Sequence, residues 1–242
     1  MDHPHRVRLP LIAGVLIVSL CRFTTSAGTV TNDFSTDPNW TSSGATVNNH
    51  SYGYHPKGAV GGTFARAAVA SYYADTTVKG LSLDHALTFQ GNIVIAANRN
   101  FDGHVRLGYF DKHDQVDFLG IEILEPRGAG DDFRVCLLAR NAAGSQQTTD
   151  SLDPHWRLTL GQSYHFTFTY TPLPNGNGEV TLTITGLGGG YSASLSVKLL
   201  GDEFRSAGST FNAFGLATPA KDVDELRLTE IYVDDLSYHT AP

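Results

Sequence analysis

Hydrophobic and polar residues alternate with a period of two along most of this chain. Such alternation is typical of β-strands that bury one face, because successive side chains of a strand point to opposite sides. No helical period is sustained over a useful length. Turn sequences rich in glycine, proline and asparagine separate the alternating runs, and this arrangement predicts an antiparallel β-sandwich. The clearest runs are HVRLGYF (104–110), FLGIEILE (118–125), FRVCLLAR (133–140), YHFTFTY (164–170), EVTLTIT (179–185) and SASLSVKL (192–199).

The last part of the chain predicts further strands. FNAFGL (211–216) places apolar residues on one face, with a glycine that allows close approach of a neighbouring backbone. IYVDDLSY (231–238) continues the alternation except at the adjacent Asp234 and Asp235, which interrupt it. We expect a closing strand that pairs back into a sheet and in which the acidic pair has a specific role.

These C-terminal stretches carry a resemblance to a known fold family. Together with GGTFAR (61–66), LGYF (107–110) and DFLGIEI (117–123), they resemble the concanavalin A-like (laminin G-like jelly-roll) lectin/glucanase superfamily, and in particular its secreted bacterial members without an assigned role. The resemblance implies an all-β fold, an antiparallel jelly-roll β-sandwich. Because this architecture hosts lectins, hydrolases, lyases and adhesion modules, it implies no single reaction.

The N-terminal segment has the features of a secretory signal. A short basic region with Arg6 and Arg8 precedes an apolar run at 11–20, and small residues follow it up to Ala27. The apolar run is too short for a permanent membrane span, so we expect no stable membrane insertion. The sequence therefore predicts a signal peptide at 1–27 and one secreted, extracytoplasmic sandwich domain at 28–242. It does not indicate an oligomeric state.

Charge and cysteine content narrow the classes of partner. The chain has a net charge of −7, and removal of the signal takes away three arginines and one aspartate, which leaves −9. An acidic domain lacks the basic surface that nucleic acids and anionic membranes require, so we predict no nucleic-acid partner.

After removal of the signal, Cys136 is the one remaining cysteine and cannot form an internal disulfide. Its apolar neighbours indicate a buried packing residue.

Polar residues on the alternating strands define a candidate groove. His104 and Arg106 alternate with apolar residues on one strand, and Glu122, Arg134 and His165 occupy equivalent positions on others. If these polar faces belong to one curved sheet, their side chains line one groove. The alternative is the ordinary solvated outer face of an antiparallel sheet.

Two enzyme classes compete with simple glycan binding. A polysaccharide lyase needs a base and a cationic group beside the uronate, and His104, Arg106, Tyr109 and His165 supply these residue types. However, LGYFDKHDQ (107–115) matches neither the Gln-x-His motif nor the Tyr-Phe-Lys-Ala-Gly signature of jelly-roll alginate lyases. A glycoside hydrolase of the glucanase branch carries Glu-x-Asp-x-x-Glu, from which the acidic residues of 117–125 depart in spacing and order.

The leading prediction is a secreted, non-catalytic, lectin-like module that binds a polysaccharide or other glycan. Exposed aromatic rings stack on sugars and planar polar side chains fix their hydroxyls. Adjacent tyrosines cannot both face inward on one strand, so one of Tyr72 and Tyr73 should be exposed. A structural or adhesive surface protein without a sugar site is a further alternative. The predicted glycan contacts are Arg66, Tyr72, Tyr73, Arg106, Glu122, Arg134 and Trp156.

Three aspartates suggest a structural calcium. In many jelly-roll carbohydrate-binding proteins the first and last strands lie side by side, and a carboxylate of the last strand helps to bind a hard cation. The resemblance therefore implies a site that uses Asp33, Asp234 and Asp235, here called the aspartate trio. The alternative is that Asp235 hydrogen-bonds loop backbone and Asp234 is solvated.

Overall fold

The computed structural model describes residues 28–126, 132–148, 157–174, 176–221 and 225–241, which form two antiparallel β-sheets packed face to face. Apart from one five-residue helix, the regular structure of this described part is β-strand. The prediction of an all-β antiparallel sandwich is confirmed.

The strands, numbered in chain order, divide between the two sheets. Sheet A contains, in spatial order, β15 (Ser192–Leu200), β14 (Gly178–Gly186), β13 (Ser163–Pro172), β7 (Leu87–Arg99), β18 (Glu225–Ala241), β4 (Ala59–Arg66) and β3 (Ser51–His55), with β1 (Gly28–Asn32) paired to β18. Sheet B contains β11 (Gln146–Thr148), β10 (Phe133–Arg140), β9 (Phe118–Leu124), β8 (His104–Phe110), β17 (Ala213–Thr218), β5 (Ser71–Asp75) and β2 (Thr41–Ser43), with β12 (Arg157–Leu158) paired to β10. A small sheet joins β6 (Leu81–Ser82) to β16 (Thr210–Phe211), and α1 is Asp202–Ser206.

Aromatic side chains fill the space between the sheets. Phe89 of sheet A lies with its ring centroid 6.0 Å from Tyr109 and 5.2 Å from Phe214, both of sheet B. Phe214 also stacks on Tyr238 of sheet A at 4.2 Å. All four residues are at most 1% exposed, and full burial of a large apolar side chain contributes roughly 1.5–3 kcal/mol. The inward positions of the alternating pattern therefore form one core.

The closing strand β18 lies in the interior of sheet A, between β7 and β4, and also pairs with β1. Its register shifts from Asp234 opposite Asn92 to Ser237 opposite Gln90, so one extra residue is inserted at the acidic pair. This is a β-bulge, with Asp235 at φ 48°. The bulge lets residues on both sides of the pair point into the core, which explains the interrupted alternation.

The N-terminal segment is not covered by the described residues. The predicted signal peptide at 1–27 lies outside them, so the signal and the export that it implies stay predictions. No helix of the described ranges is long and apolar enough to cross a membrane.

Candidate functional site

The outer face of sheet B carries a buried ion-paired cluster. Arg106 lies opposite Glu122 on the neighbouring strand, and Glu122 lies opposite Cys136. Glu122 Oε1 accepts hydrogen bonds from Arg106 Nε and from His104 Nδ1, each at 2.9 Å. Arg106 and Glu122 are 5% exposed, whereas the His104 side chain is 28% exposed. The pair therefore holds the more accessible imidazole in one orientation.

Electrostatics in this cluster favour one charge state for each partner. Burial alone would raise the pKa of Glu122, but the hydrogen bond from His104 and the charge of Arg106 outweigh it and hold the pKa at about 2. Burial and the nearby Glu122 charge raise the pKa of the Cys136 thiol to about 12. Glu122 is ionised at neutral pH, and Cys136 is a protonated packing residue rather than a nucleophile.

Aromatic rings cover the centre of this outer face. Gly215, Gly108 and Gly120 occupy neighbouring positions on three adjacent strands. A Cβ on Gly120 would lie 3.0 Å from the ring of Phe118, and the Arg106 guanidinium carbon lies 5.5 Å from the centre of the same ring. At each of the three glycines a Cβ would first meet the backbone of the neighbouring strand, so the glycines allow close approach of the strands. Phe110 and Phe118 belong to a second small core on this face, which is therefore not an open trough.

The same end of sheet B that holds His104 borders an open cleft of about 260 Å³, here called the end cleft. It collects residues from the end of β7, the turn before β8, the end of β9 and the start of β18. Its lining consists of Asn98, Asn100, Phe101, Asp102, Glu125, Pro126 and Arg227.

Ion pairs position the charged side chains around the end cleft. Asp102 Oδ2 accepts from Arg66 Nη1 and from Arg227 Nη1, each at 2.9 Å. Glu125 Oε1 accepts from Arg134 Nη2 at 2.8 Å. The other carboxylate oxygen of Glu125 is enclosed and has no hydrogen-bond partner within the described part of the chain. An enclosed acceptor of this kind calls for a donor, which a ligand can supply.

The structure brings five of the predicted residues to one end of the sandwich. His104, Arg106, Glu122 and Arg134 lie on the outer face of sheet B, and Arg66 reaches the end cleft through Asp102. The residues of the cleft itself were not predicted as contacts. The sequence does contain an indication of this site, because Asn98, Asn100 and Asp102 place three planar polar groups at alternate positions beside a turn.

The prediction of one groove containing both histidines is wrong. His165 lies on β13 of sheet A, where its Nδ1 contacts Asn92 Oδ1 at 3.0 Å, whereas His104 lies on sheet B. Both side chains point away from the core, as alternation requires, but they point to opposite sides of the sandwich. Alternation assigns a face and does not assign a sheet.

The tyrosines predicted as site residues also lie in different environments. Tyr72 is half-buried on the outer face of sheet B, with its ring 5.6 Å from Phe110, whereas Tyr73 is a core residue that donates to Asp37 at 3.4 Å. Tyr109 is fully buried and donates to the Thr88 carbonyl at 2.8 Å, so its hydroxyl cannot act beside His104. Trp156 lies outside the described residues.

The aspartate trio lies near the paired first and last strands, as expected. Asp33 Oδ1 accepts from the Ser35 backbone N–H at 3.0 Å, and Asp235 Oδ2 accepts from Asn92 at 3.0 Å. Within the described ranges no three histidine, cysteine or acidic residues are grouped so that they could hold a metal ion. The three aspartates thus form no such group as they stand, and calcium binding stays a prediction.

Several solved structures share this architecture at low sequence identity. The lectin UEA-II complexed with galactose matches with a TM-score of 0.54 and 10% identity, covering 88% of this chain and 99% of the lectin. The alginate lyase Aly36B in complex with alginate trisaccharide matches with a TM-score of 0.53 and 10% identity, covering 88% and 98%. The chain has the concanavalin A-like jelly-roll fold. A CBM2 module from the evolved Dit of Lactobacillus casei phage J-1 matches with a TM-score of 0.51 and 9% identity, covering 90% and 99%.

Sequence comparisons add no closer relationship. No protein-family model matches the chain, and a search of curated proteins found no match. Identities of 9–10% show the concanavalin A-like fold and do not assign an activity, because one fold carries many functions. The function has to be argued from the end cleft and the cluster beside it.

Proposed function

We propose that this protein is a secreted, non-catalytic glycan-binding module and that the end cleft is its binding site. A lectin, an alginate lyase and a carbohydrate-binding module share the fold, which supports a carbohydrate ligand as a class. The cleft combines two amides, two carboxylates and an arginine with the apolar Phe101 and Pro126. Planar polar groups around an apolar wall are the chemistry that orients a sugar ring.

The single observation that carries the proposal is the unused acceptor of Glu125. Its Oε1 accepts from Arg134, and its Oε2 is enclosed without a partner within the described residues. A buried acceptor without a donor costs about 1–3 kcal/mol. The Glu125 side chain as a whole is 27% exposed, so a small rotation of the carboxylate would present this oxygen to a sugar hydroxyl in the end cleft. The hydroxyl would supply the donor and recover the cost on binding.

The charge state of Glu122 argues against a glycoside hydrolase that uses this residue as its general acid. That reaction mostly requires one carboxyl group that stays protonated near neutral pH and a second that is ionised. Glu122, with a pKa of about 2, is ionised and already accepts two hydrogen bonds. It therefore cannot serve as the general acid.

A polysaccharide lyase is the second candidate, and the contact between His104 and Glu122 favours it. Because Nδ1 faces the carboxylate, Nε2 of His104 is the nitrogen that remains to accept a proton from a substrate. This candidate lacks an accessible proton donor and an accessible cation beside His104. Tyr109 is in the core, and Arg106 is buried in its pair with Glu122.

The test is affinity electrophoresis of the mature domain in gels that contain neutral or uronate-rich polysaccharides. Parallel solutions are assayed for new unsaturated ends by absorbance and for reducing ends. We expect retarded migration without cleavage. Rising absorbance that His104→Ala abolishes would instead establish the lyase.

Two variants address the end cleft directly. Arg227→Gln removes a charged donor, which should weaken retention about tenfold or more. Glu125→Gln would turn its amide oxygen to Arg134 and present an N–H₂ group to the cleft, so it should weaken retention as well. Lys57→Gln removes one positive charge from an exposed turn of sheet A and should leave retention unchanged. Equal retention of all three variants would refute the end cleft as the site.

A further inference from the structure

The outer face of sheet A contains a second depression that the proposed site does not use. It has a volume of about 290 Å³ and lies over β1, β18, β7 and β13. The inward-pointing Phe89 lies beneath it, and seven polar side chains other than Asp, Glu, Lys and Arg surround it, among them Thr88, Gln90, Thr167 and Thr169. We call it the hydroxyl groove.

Strand register produces this concentration of hydroxyl groups. Thr169 lies directly opposite Thr88, and Thr167 lies opposite Gln90. On the other side, Ser237 of β18 is also opposite Gln90. Each of these residues is at an outward position of its strand, so five polar side chains from three adjacent strands meet on one face.

Two side chains of the groove, Thr88 and His239, have a fixed orientation. His239 Nδ1 lies 3.1 Å from the Ala86 carbonyl, and its Nε2 lies 3.1 Å from Thr88 Oγ1. Below them, the Tyr109 hydroxyl donates to the Thr88 carbonyl and accepts from the His239 backbone N–H, each at 2.8 Å. Threonine is also stiff at χ1 because it is β-branched. Binding to the threonines and to His239 would therefore cost little side-chain ordering.

The groove differs in charge from the end cleft. None of its eight lining residues is Asp, Glu, Lys or Arg, although the chain has 17% charged residues and a net charge of −7. The end cleft contains Asp102, Glu125 and Arg227. A site lined by hydroxyl, amide and imidazole groups, with no carboxylate, ammonium or guanidinium group, matches an uncharged polyol and offers a uronate no lysine or arginine.

We propose that the hydroxyl groove is an independent binding site for a sugar unit of a neutral polysaccharide. Its volume is at the lower end of the roughly 300–1,000 Å³ of ordinary ligand pockets, which suits a single sugar unit. Gln90 of the groove and Asn98 of the end cleft are eight residues apart on β7, or about 27 Å along the strand. One chain would thus hold two glycans of different charge at the same time.

The test uses affinity electrophoresis in gels that contain laminarin, dextran or galactomannan, with a polyuronate gel alongside. The groove variant is Thr167→Val/Thr169→Val, which removes two hydroxyls and keeps the shape and strand preference of the residues. The control is Thr183→Val/Thr185→Val, on the same face of β14 but outside the groove lining. All proteins are compared at low and high salt, because binding without charge should not respond to ionic strength.

We expect the wild-type protein to be retained by at least one neutral polysaccharide at both salt concentrations. Each lost hydrogen bond should weaken this retention about threefold to tenfold in the groove variant and leave the control unaffected. Absence of neutral retention, or equal retention of groove and control variants, would overturn the proposal. Loss of neutral retention in Arg227→Gln would move that binding to the end cleft and overturn it too. Loss of polyuronate retention alone concerns the end cleft, so the two proposals fail separately.

Discussion

Replacing Glu122 by glutamine should destabilise the protein strongly at neutral pH. The carboxylate is 5% exposed and accepts hydrogen bonds from Arg106 and His104. Glutamine has nearly the same shape, but it leaves the equally buried Arg106 guanidinium without a counter-charge. Removing one partner of a buried pair costs about 3–5 kcal/mol, because the remaining charge stays in a poorly solvated place.

The size of this loss in folding free energy also follows from the pKa of the Glu122 carboxyl group. Its fall from an ordinary value of 4.5 to about 2 corresponds to roughly 3 kcal/mol of stabilisation. A depressed carboxyl pKa stabilises the folded state fully above the unfolded value of 4.5 and stops doing so as the pH falls through about 2. The difference in stability between wild type and Glu122→Gln should therefore shrink over that range.

The assay is urea unfolding followed by tryptophan fluorescence, repeated between pH 7 and the lowest pH at which the domain still folds. The matched control is Arg106→Met/Glu122→Leu, which removes both charges and should recover most of the loss, because an uncharged pair leaves no unpaired ion. A Glu122→Gln effect below about 1 kcal/mol at pH 7 would refute the reasoning. A large effect that does not change with pH would assign the loss to packing instead of charge.

Two further outcomes follow from the backbone and from the aspartate trio. Gly61→Ala should be severely destabilising in thermal unfolding, because Gly61 has φ 138° and a Cβ there would overlap the carbonyl oxygen of Ile231. The control Gly188→Ala, with nothing within 4 Å of its Cβ, should be nearly neutral. Similar effects of the two substitutions would contradict this account. If the aspartate trio binds calcium, added calcium should raise the melting temperature and a chelator should reverse the change, because a ligand bound only by the folded state stabilises it. No shift with either addition would reject the site.

Much of the fold could be predicted from local pattern. The inward residues Phe166 and Phe168 are correctly identified by alternation, because side-chain direction in a strand depends only on position along that strand. The interrupted alternation at Asp234 and Asp235 marks the bulge for the same reason. The apolar sequence around Cys136 correctly indicates a buried thiol.

The candidate sites required the tertiary structure. Alternation places both His104 and His165 on outward faces, yet strand pairing puts them on opposite sides of the sandwich. The end cleft joins Asn98, Glu125 and Arg227, which are far apart in sequence and meet only because their strand ends lie together.

The sequence by itself therefore determined the strands, the faces of those strands and the interruption in the last one. Each of these depends on interactions within a few residues. Only the tertiary structure decided that β18 lies between β7 and β4, that Arg106 and Glu122 are buried as a pair, and that neutral hydroxyls gather on sheet A. Strand order results from the packing of a whole core, and contacts between distant segments carry no signature in the local alternation of either segment.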